Sequence, residues 1–231
     1  MYARSHSMNS SNNLIIPFIP YQPGAGMLAA VGSRLDEFNK QTMPYMLWLP
    51  EQEKPIVRFV IGHGHDMVFL KYYVSEKYIA ANYHRINETV YKDSCVEFFI
   101  GFEHDLNYYN LEFNSAGTVL GQYGCGKANR EFLNCEVLEL IDTETKIKFN
   151  HLDQLFEWEL TIAIPTAVFE FHHIDDFAGV TCRLNFFKCG DDLPAPHYLA
   201  WNNIHTNKPD FHRPEFFGDG VFERLGKLIE I

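Results

Sequence analysis

The chain has 231 residues, of which 46% are hydrophobic and 21% charged, a balance that suits a globular domain and excludes a disordered or fibrous class. A formal charge of −11 and the lack of any Lys/Arg run exclude a nucleic-acid partner, because phosphate contacts need clustered cations. The aromatic share of 15%, with 20 Phe, 12 Tyr and 3 Trp, favours strands and stacking surfaces over a helical bundle.

The opening, MYARSHSMNSSNNLIIPF, has no continuous apolar core followed by a small-residue cleavage site, so it does not read as a signal peptide and the compartment stays open. Residues 1–45 read as an N-terminal arm and a helix over 27–41, with Ala29, Ala30, Leu35 and Phe38 at helical spacing and Pro44 beyond its end. From Ile56 the period changes to two. Strands are predicted over 56–61, 67–74, 78–83, 95–102, 108–114, 118–123, 135–140, 146–149, 156–164, 182–188 and 197–201, with a short connecting helix over 165–171. These short strands without a βαβ rhythm predict an all-β fold: an antiparallel β-sandwich, jelly-roll-like, over 46–231, with a short N-terminal helix packed on it. Glu157 and Glu159 interrupt the longest apolar run, so no membrane insertion is expected. Five cysteines without a CxxC pair argue against a disulfide framework or a structural zinc site and read as mostly buried thiols.

Alternation sorts the strand faces. In 108–114 it places Tyr109, Leu111 and Phe113 on a core face and Tyr108, Asn110, Glu112 and Asn114 opposite. In 95–102 it sends Val96, Phe98 and Ile100 inward and Glu97 outward, and in 182–188 it separates Leu184 and Phe186 from Arg183 and Asn185. If these strands are neighbours, Glu97, Glu112, Asn114, Arg183 and Asn185 form one polar patch beside Tyr108. Such a mixture suits a sugar, because amides, carboxylates and guanidinium bond hydroxyls while an aromatic ring covers the apolar face of a pyranose. An ordinary solvated sheet face or an Arg183 ion pair is the structural alternative. Trp201, between a strand and a polar loop, is the candidate stacking platform; Trp158, alternating with Leu160 and Ile162, reads as core, and Trp48 fits either role.

The stretches VYKDSCVEFFIGF (90–102), NYYNLEFNSAGTVL (107–120), CRLNFFKCG (182–190), HYLAWNN (197–203) and PDFHRPEFFGDGVF (209–222) resemble the family 9-like carbohydrate-binding modules in order and spacing. The resemblance implies a sandwich fold, a saccharide as partner and, in some members, a structural calcium. Xylanase-attached members clamp a terminal sugar between two Trp side chains; Trp201 is placed as one wall, and the second has no match in this chain. For a chain cut from a longer precursor, the resemblance also implies a secreted or periplasmic location.

Other chemistry has less support. His63, His65 and Asp66 in IGHGHDM lack the further ligands of a metallo-hydrolase and read as a turn with exposed histidines. His172 and His173 point to opposite sides of an extended chain, and His212 suits a loop hydrogen bond. GQYGCGKANR lacks P-loop spacing, no GxSxG occurs, and no Met/His spacing selects a haem pair. The expectation is a non-catalytic carbohydrate-binding module that requires no cofactor, with a structural calcium an option that the resemblance implies. The alternatives are a glycoside-processing enzyme using paired carboxylates such as Glu97 and Glu112, and an accessory domain without a ligand.

Overall fold

The computed structural model describes residues 12–49, 54–103 and 105–224. Residues 1–11 of the predicted N-terminal arm and helix, and residues 50–53, 104 and 225–231 of the predicted β domain, lie outside them. In chain order the elements are β1 (Asn13–Ile16), α1 (Met27–Leu35), β2 (Gln41–Thr42), β3 (Tyr45–Met46), β4 (Ile56–His63), β5 (Met67–Glu76), β6 (Cys95–Phe102), β7 (Tyr108–Asn114), β8 (Val119–Gly124) and β9 (Glu131–Phe132). There follow α2 (Cys135–Leu138), β10 (Asp142–Asn150), β11 (Leu155–Pro165), β12 (Thr181–Cys189), β13 (Tyr198–Ala200) and β14 (Gly218–Phe222).

Two sheets form the expected sandwich. One runs β1-β14-β12-β6-β7-β8-β9, with β13 joining β12 to β3, and the other runs β10-β11-β5-β4-β2. The pairs are antiparallel except β1 with β14, which is parallel. Alternation fills the space between the sheets: Val96, Phe98, Ile100, Tyr109, Leu111, Phe113, Leu184 and Phe186 meet Phe59, Leu70, Tyr72, Leu160 and Ile162. Each such side chain contributes about 1.5–3 kcal/mol on burial. Phe186 stacks on Phe59 at 3.8 Å and on Phe98 at 5.3 Å.

The core also holds charge. Lys188 Nζ lies 2.9 Å from Glu76 Oε2 and 2.7 Å from His197 Nε2, and Trp158, in its expected core position, donates to Glu76 Oε1 at 2.7 Å. Burial, then Lys188, lowers the His197 pKa to about 3, so the neutral ring accepts from the ammonium. On the outer face of the second sheet, α1 lays Val31 and Leu35 on Val60, Phe69 and Ala163. Gly32 permits this approach, since a Cβ there would lie 3.2 Å from Thr161 Oγ1.

Several element predictions require correction. Residues 78–83 are not a strand: Ser94 and Asp93 side chains accept from the amides of Ala80, Asn82 and Tyr83, so the segment is tied to side chains. Residues 135–140 begin as the helical turn α2, capped by Asn134 Oδ1 accepting from Glu136 N at 3.0 Å. α1 ends at Leu35, freeing Gln41 and Thr42 to pair with β4. His63 is not exposed: it is buried, with Nδ1 2.7 Å from Gly64 O and Nε2 3.1 Å from Glu223 O, whereas His65 is exposed and pairs with Asp176 at 2.9 Å.

Candidate functional site

The order β12-β6-β7-β8 makes the strands that carry the predicted polar residues neighbours. Their outward side chains stand in rungs: Cys189, Cys95, Asn114; then Phe187, Glu97, Glu112, Leu120; then Asn185, Phe99, Asn110, Gln122. Loops cover this face. Trp48, Tyr91, Tyr198, Phe211 and His212 wall a cavity of about 500 Å³ whose floor holds Glu97, Glu112, Leu120, Gln122 and Cys189. Trp48 adopts left-handed backbone at φ 60, a strained conformation for a bulky residue, and its Nε1 donates to Thr206 O at 2.9 Å. Its ring meets Tyr198 edge-on at 5.7 Å and Phe211 at 5.5 Å, and Phe211 stacks on Phe187 at 4.3 Å.

Glu97 and Glu112 are direct cross-strand partners, 3% and 5% exposed. Burial, reinforced by Cys189 and Glu112, raises the Glu97 pKa well above the carboxylate range. Burial also raises Glu112, to about 7, against the opposing Asn110 hydrogen bond and the Arg130 charge. Asn110 Nδ2 donates to Glu112 Oε1 at 2.8 Å, while the buried Oε2 has no partner. An unsatisfied buried acceptor costs on the order of 1–3 kcal/mol, and a donor from a bound molecule would recover it.

Beside the acids, Arg130 organises the glycine-rich turn. It donates to Asn110 Oδ1, Gly124 O and Tyr108 O, each at 2.9 Å, and to Gly126 O at 3.0 Å, with its guanidinium 4.4 Å above the Tyr108 ring. Tyr108 OH is 3.0 Å from His212 Nδ1. Burial, then Arg130, lowers the His212 pKa to about 3, so this wall residue is neutral.

Of the eight predicted site residues, Glu97 and Glu112 line the cavity, and Tyr108 and Asn110 stand beside it on the same sheet face, bonded to His212 and Glu112 respectively. The other four serve elsewhere. Asn114 closes its turn, accepting from Ala116 and Thr118 amides and donating to Asp93. Asn185 clamps the end of β13 through Asn202. Arg183 donates to Asp105 O at 2.6 Å, four residues along β12 from the partner of Glu97, or about 13 Å at strand rise. It forms no ion pair with the acids. Trp201 is core rather than platform, 3% exposed and edge-on to Phe59 and Phe186 at 6.1 and 5.6 Å. In β13 and just beyond, Leu199 and Trp201 face the core, so Tyr198 carries the cavity side. Of the cavity walls, the sequence leaves Trp48 between core and platform, reads His212 as a loop hydrogen bond, and selects none of Tyr91, Tyr198 and Phe211. Parity with Trp201 was the readable signal for Tyr198.

A broader depression of about 800 Å³ lies on the outer face of the second sheet, around Arg58, Tyr73, Lys146, Lys148, Glu157 and Glu159. Its charges are largely paired, with Lys148 2.7 Å from Glu157 and Lys71 3.2 Å from Glu159.

The family model for carbohydrate-binding family 9 matches residues 32–222. Among solved structures, a "putative carbohydrate-binding protein" from Bacteroides uniformis is 33% identical with a TM-score of 0.83, over 93% of this chain and 100% of that one. Two family 9 modules from Caldicellulosiruptor kristjanssonii, in complex with cellotriose and with glucose, share the fold at TM-scores of 0.58 and 0.53 and 11% and 12% identity. They cover 95% of this chain and, respectively, 98% and 100% of their own. No curated protein matches the chain.

Proposed function

The chain belongs to carbohydrate-binding family 9, and on that premise we propose that it binds a saccharide, without catalysis, in the cavity over Glu97 and Glu112. The observation that carries this reading is Glu112 Oε2, a buried acceptor without a partner on the floor of an aromatic-walled pocket. Sugar hydroxyls donate to it and accept from the protonated Glu97. The strained, tethered ring of Trp48 supplies the apolar surface that a pyranose face needs. Tyr108 and Asn110 hold the floor in place, and Trp201, Arg183, Asn185 and Asn114 contribute through the fold.

Hydrolysis suits this geometry poorly. A glycosidase sets its carboxyls on either side of the scissile bond, whereas Glu97 and Glu112 stand side by side on one floor. Calcium also fits poorly. It takes six to eight oxygen ligands, while the grouping of three potential ligand side chains among the described residues is Cys95, Glu97 and Cys189, two of them sulfur donors.

Calorimetric titration with glucose, cellotriose and a wider saccharide panel tests the proposal. Saturable binding is expected, abolished by Glu112→Ala and weakened by Trp48→Ala in folded protein. Absence of binding across the panel, or binding that both substitutions leave unchanged, refutes it.

A further inference from the structure

Cys95, Glu97 and Cys189 form a second constellation in the cavity floor. Cys95 and Cys189 are direct partners across β6 and β12, and Glu97 stands two residues along β6 on the same face. The two sulfurs and a Glu97 carboxylate oxygen lie within 4.8 Å of one another, with Cys189 Sγ 3.0 Å from Glu97 Oε1. All three side chains are buried, and Glu97 and Cys189 line the cavity.

Two sulfurs and one carboxylate are a donor set for a borderline or soft d10 cation, not for calcium or magnesium. Tetrahedral zinc with bonds of about 2.0–2.3 Å holds its ligand atoms roughly 3.5–3.8 Å apart. The observed spread reaches that arrangement by small side-chain rotations within neighbouring positions of a hydrogen-bonded sheet. Three protein ligands leave one coordination position, and the two cavity-lining members direct it into the open space.

We propose that Cys95, Glu97 and Cys189 constitute a three-ligand site for a zinc-class divalent cation whose fourth position opens into the cavity. The proposal does not rest on the saccharide reading. Glu112 on β7 and Asp191 beyond β12 also line this cavity, while Lys188 stands on the opposite face of β12. Loading replaces two thiol protons and one carboxyl proton by the metal. A divalent cation and a neutral cluster thus give a complex of charge −1 and three protons released to the buffer.

The test uses the full chain, reduced and freed of metal, in a Cys125→Ser/Cys135→Ser background that removes the two exposed thiols. Titration with cobalt(II) chloride is expected to give a thiolate charge-transfer band saturating at one equivalent, displaced by zinc chloride. Proton release should accompany it. Cys95→Ser and Cys189→Ser should each abolish the band. Loss of a group that only orients a metal ligand costs about 10–100-fold in metal affinity, so Glu97→Gln, removing a direct ligand, should weaken uptake at least about tenfold. Zinc should also protect the two thiols from alkylation in the parent background, a readout that needs no folded serine variant. The proposal is overturned by the absence of a one-equivalent band in folded, reduced protein, by a band that survives both serine changes, or by recovery of Cys95 and Cys189 as a disulfide that does not reduce without unfolding.

Discussion

Trp48 and Trp201 show how one residue type divides between ligand and core. Trp201 fills the space beside Phe59 and Phe186, so Trp201→Ala should cost about 3–5 kcal/mol and lower the melting temperature by roughly 6 °C or more. Trp48 is half-buried at the cavity wall. Its removal should leave the melting temperature within about 4 °C while costing saccharide affinity about 0.5–1.5 kcal/mol beyond the covered area. Differential scanning fluorimetry with saccharide titration reads both, and a larger thermal loss for Trp48→Ala would reverse the assignment. Glu112 titrates differently in the two states, because the folded protein holds its proton up to about 7 and the unfolded chain releases it near 4.5. The Glu112 contribution therefore falls as pH rises through that window, and Glu112→Gln should shift the pH dependence of urea unfolding between about pH 5 and 7 toward stability that increases with pH, relative to the parent protein. An unchanged slope would show that Glu112 is ionised in the fold. That Glu97, Glu112, Tyr108 and Asn110 share one sheet face was legible in the sequence because period two separates faces regardless of context. It misassigned Trp201 because loop-flanking position was weighed above parity with Leu199.

At the scale of elements, β1 joins the sandwich by parallel pairing with β14, with Ile16 buried and neighbouring Ile15 exposed at 69%. Ile16→Ala should destabilise by about 2–5 kcal/mol, whereas Ile15→Ala should be nearly neutral. Equal urea midpoints for the two variants would argue that β1 does not pair in solution. Both strands escaped sequence reading for a physical reason. GDGVF looks like a turn, yet Gly220 is required where a Cβ would meet Leu184 and Cys182, so steric closeness rather than propensity selects glycine. The period-two reading of 135–140 failed in the opposite way, since the Asn134 cap signalled a helix start that the alternating run obscured. Strands β6, β7, β11 and β12 were legible because each is long and faces the core with strict alternation. The cavity walls were not, because the loops over the floor come together only through the sheet order.

The whole molecule carries two sets of buried groups that oppose each other in pH. His197 and His212, lowered to about 3, withhold protons that the unfolded chain binds below about 6.5, so their contribution is lost as pH falls. Glu97 and Glu112 act in the reverse sense above 4.5. The two sets offset between about 4.5 and 6.5, and stability should form a plateau there, falling on both sides. Urea midpoints at pH 3.5, 5.5 and 8.5 that change monotonically would contradict this balance. The second sheet meanwhile ends in β10, nine residues whose outer backbone groups pair with no further strand among the described residues. Ile147 and Phe149 are exposed on this edge, but they alternate with Glu144, Lys146 and Lys148. A second copy docking strand to strand would have to desolvate those charges and set lysine against lysine, so the edge discourages fibre-like growth of the protein at high concentration.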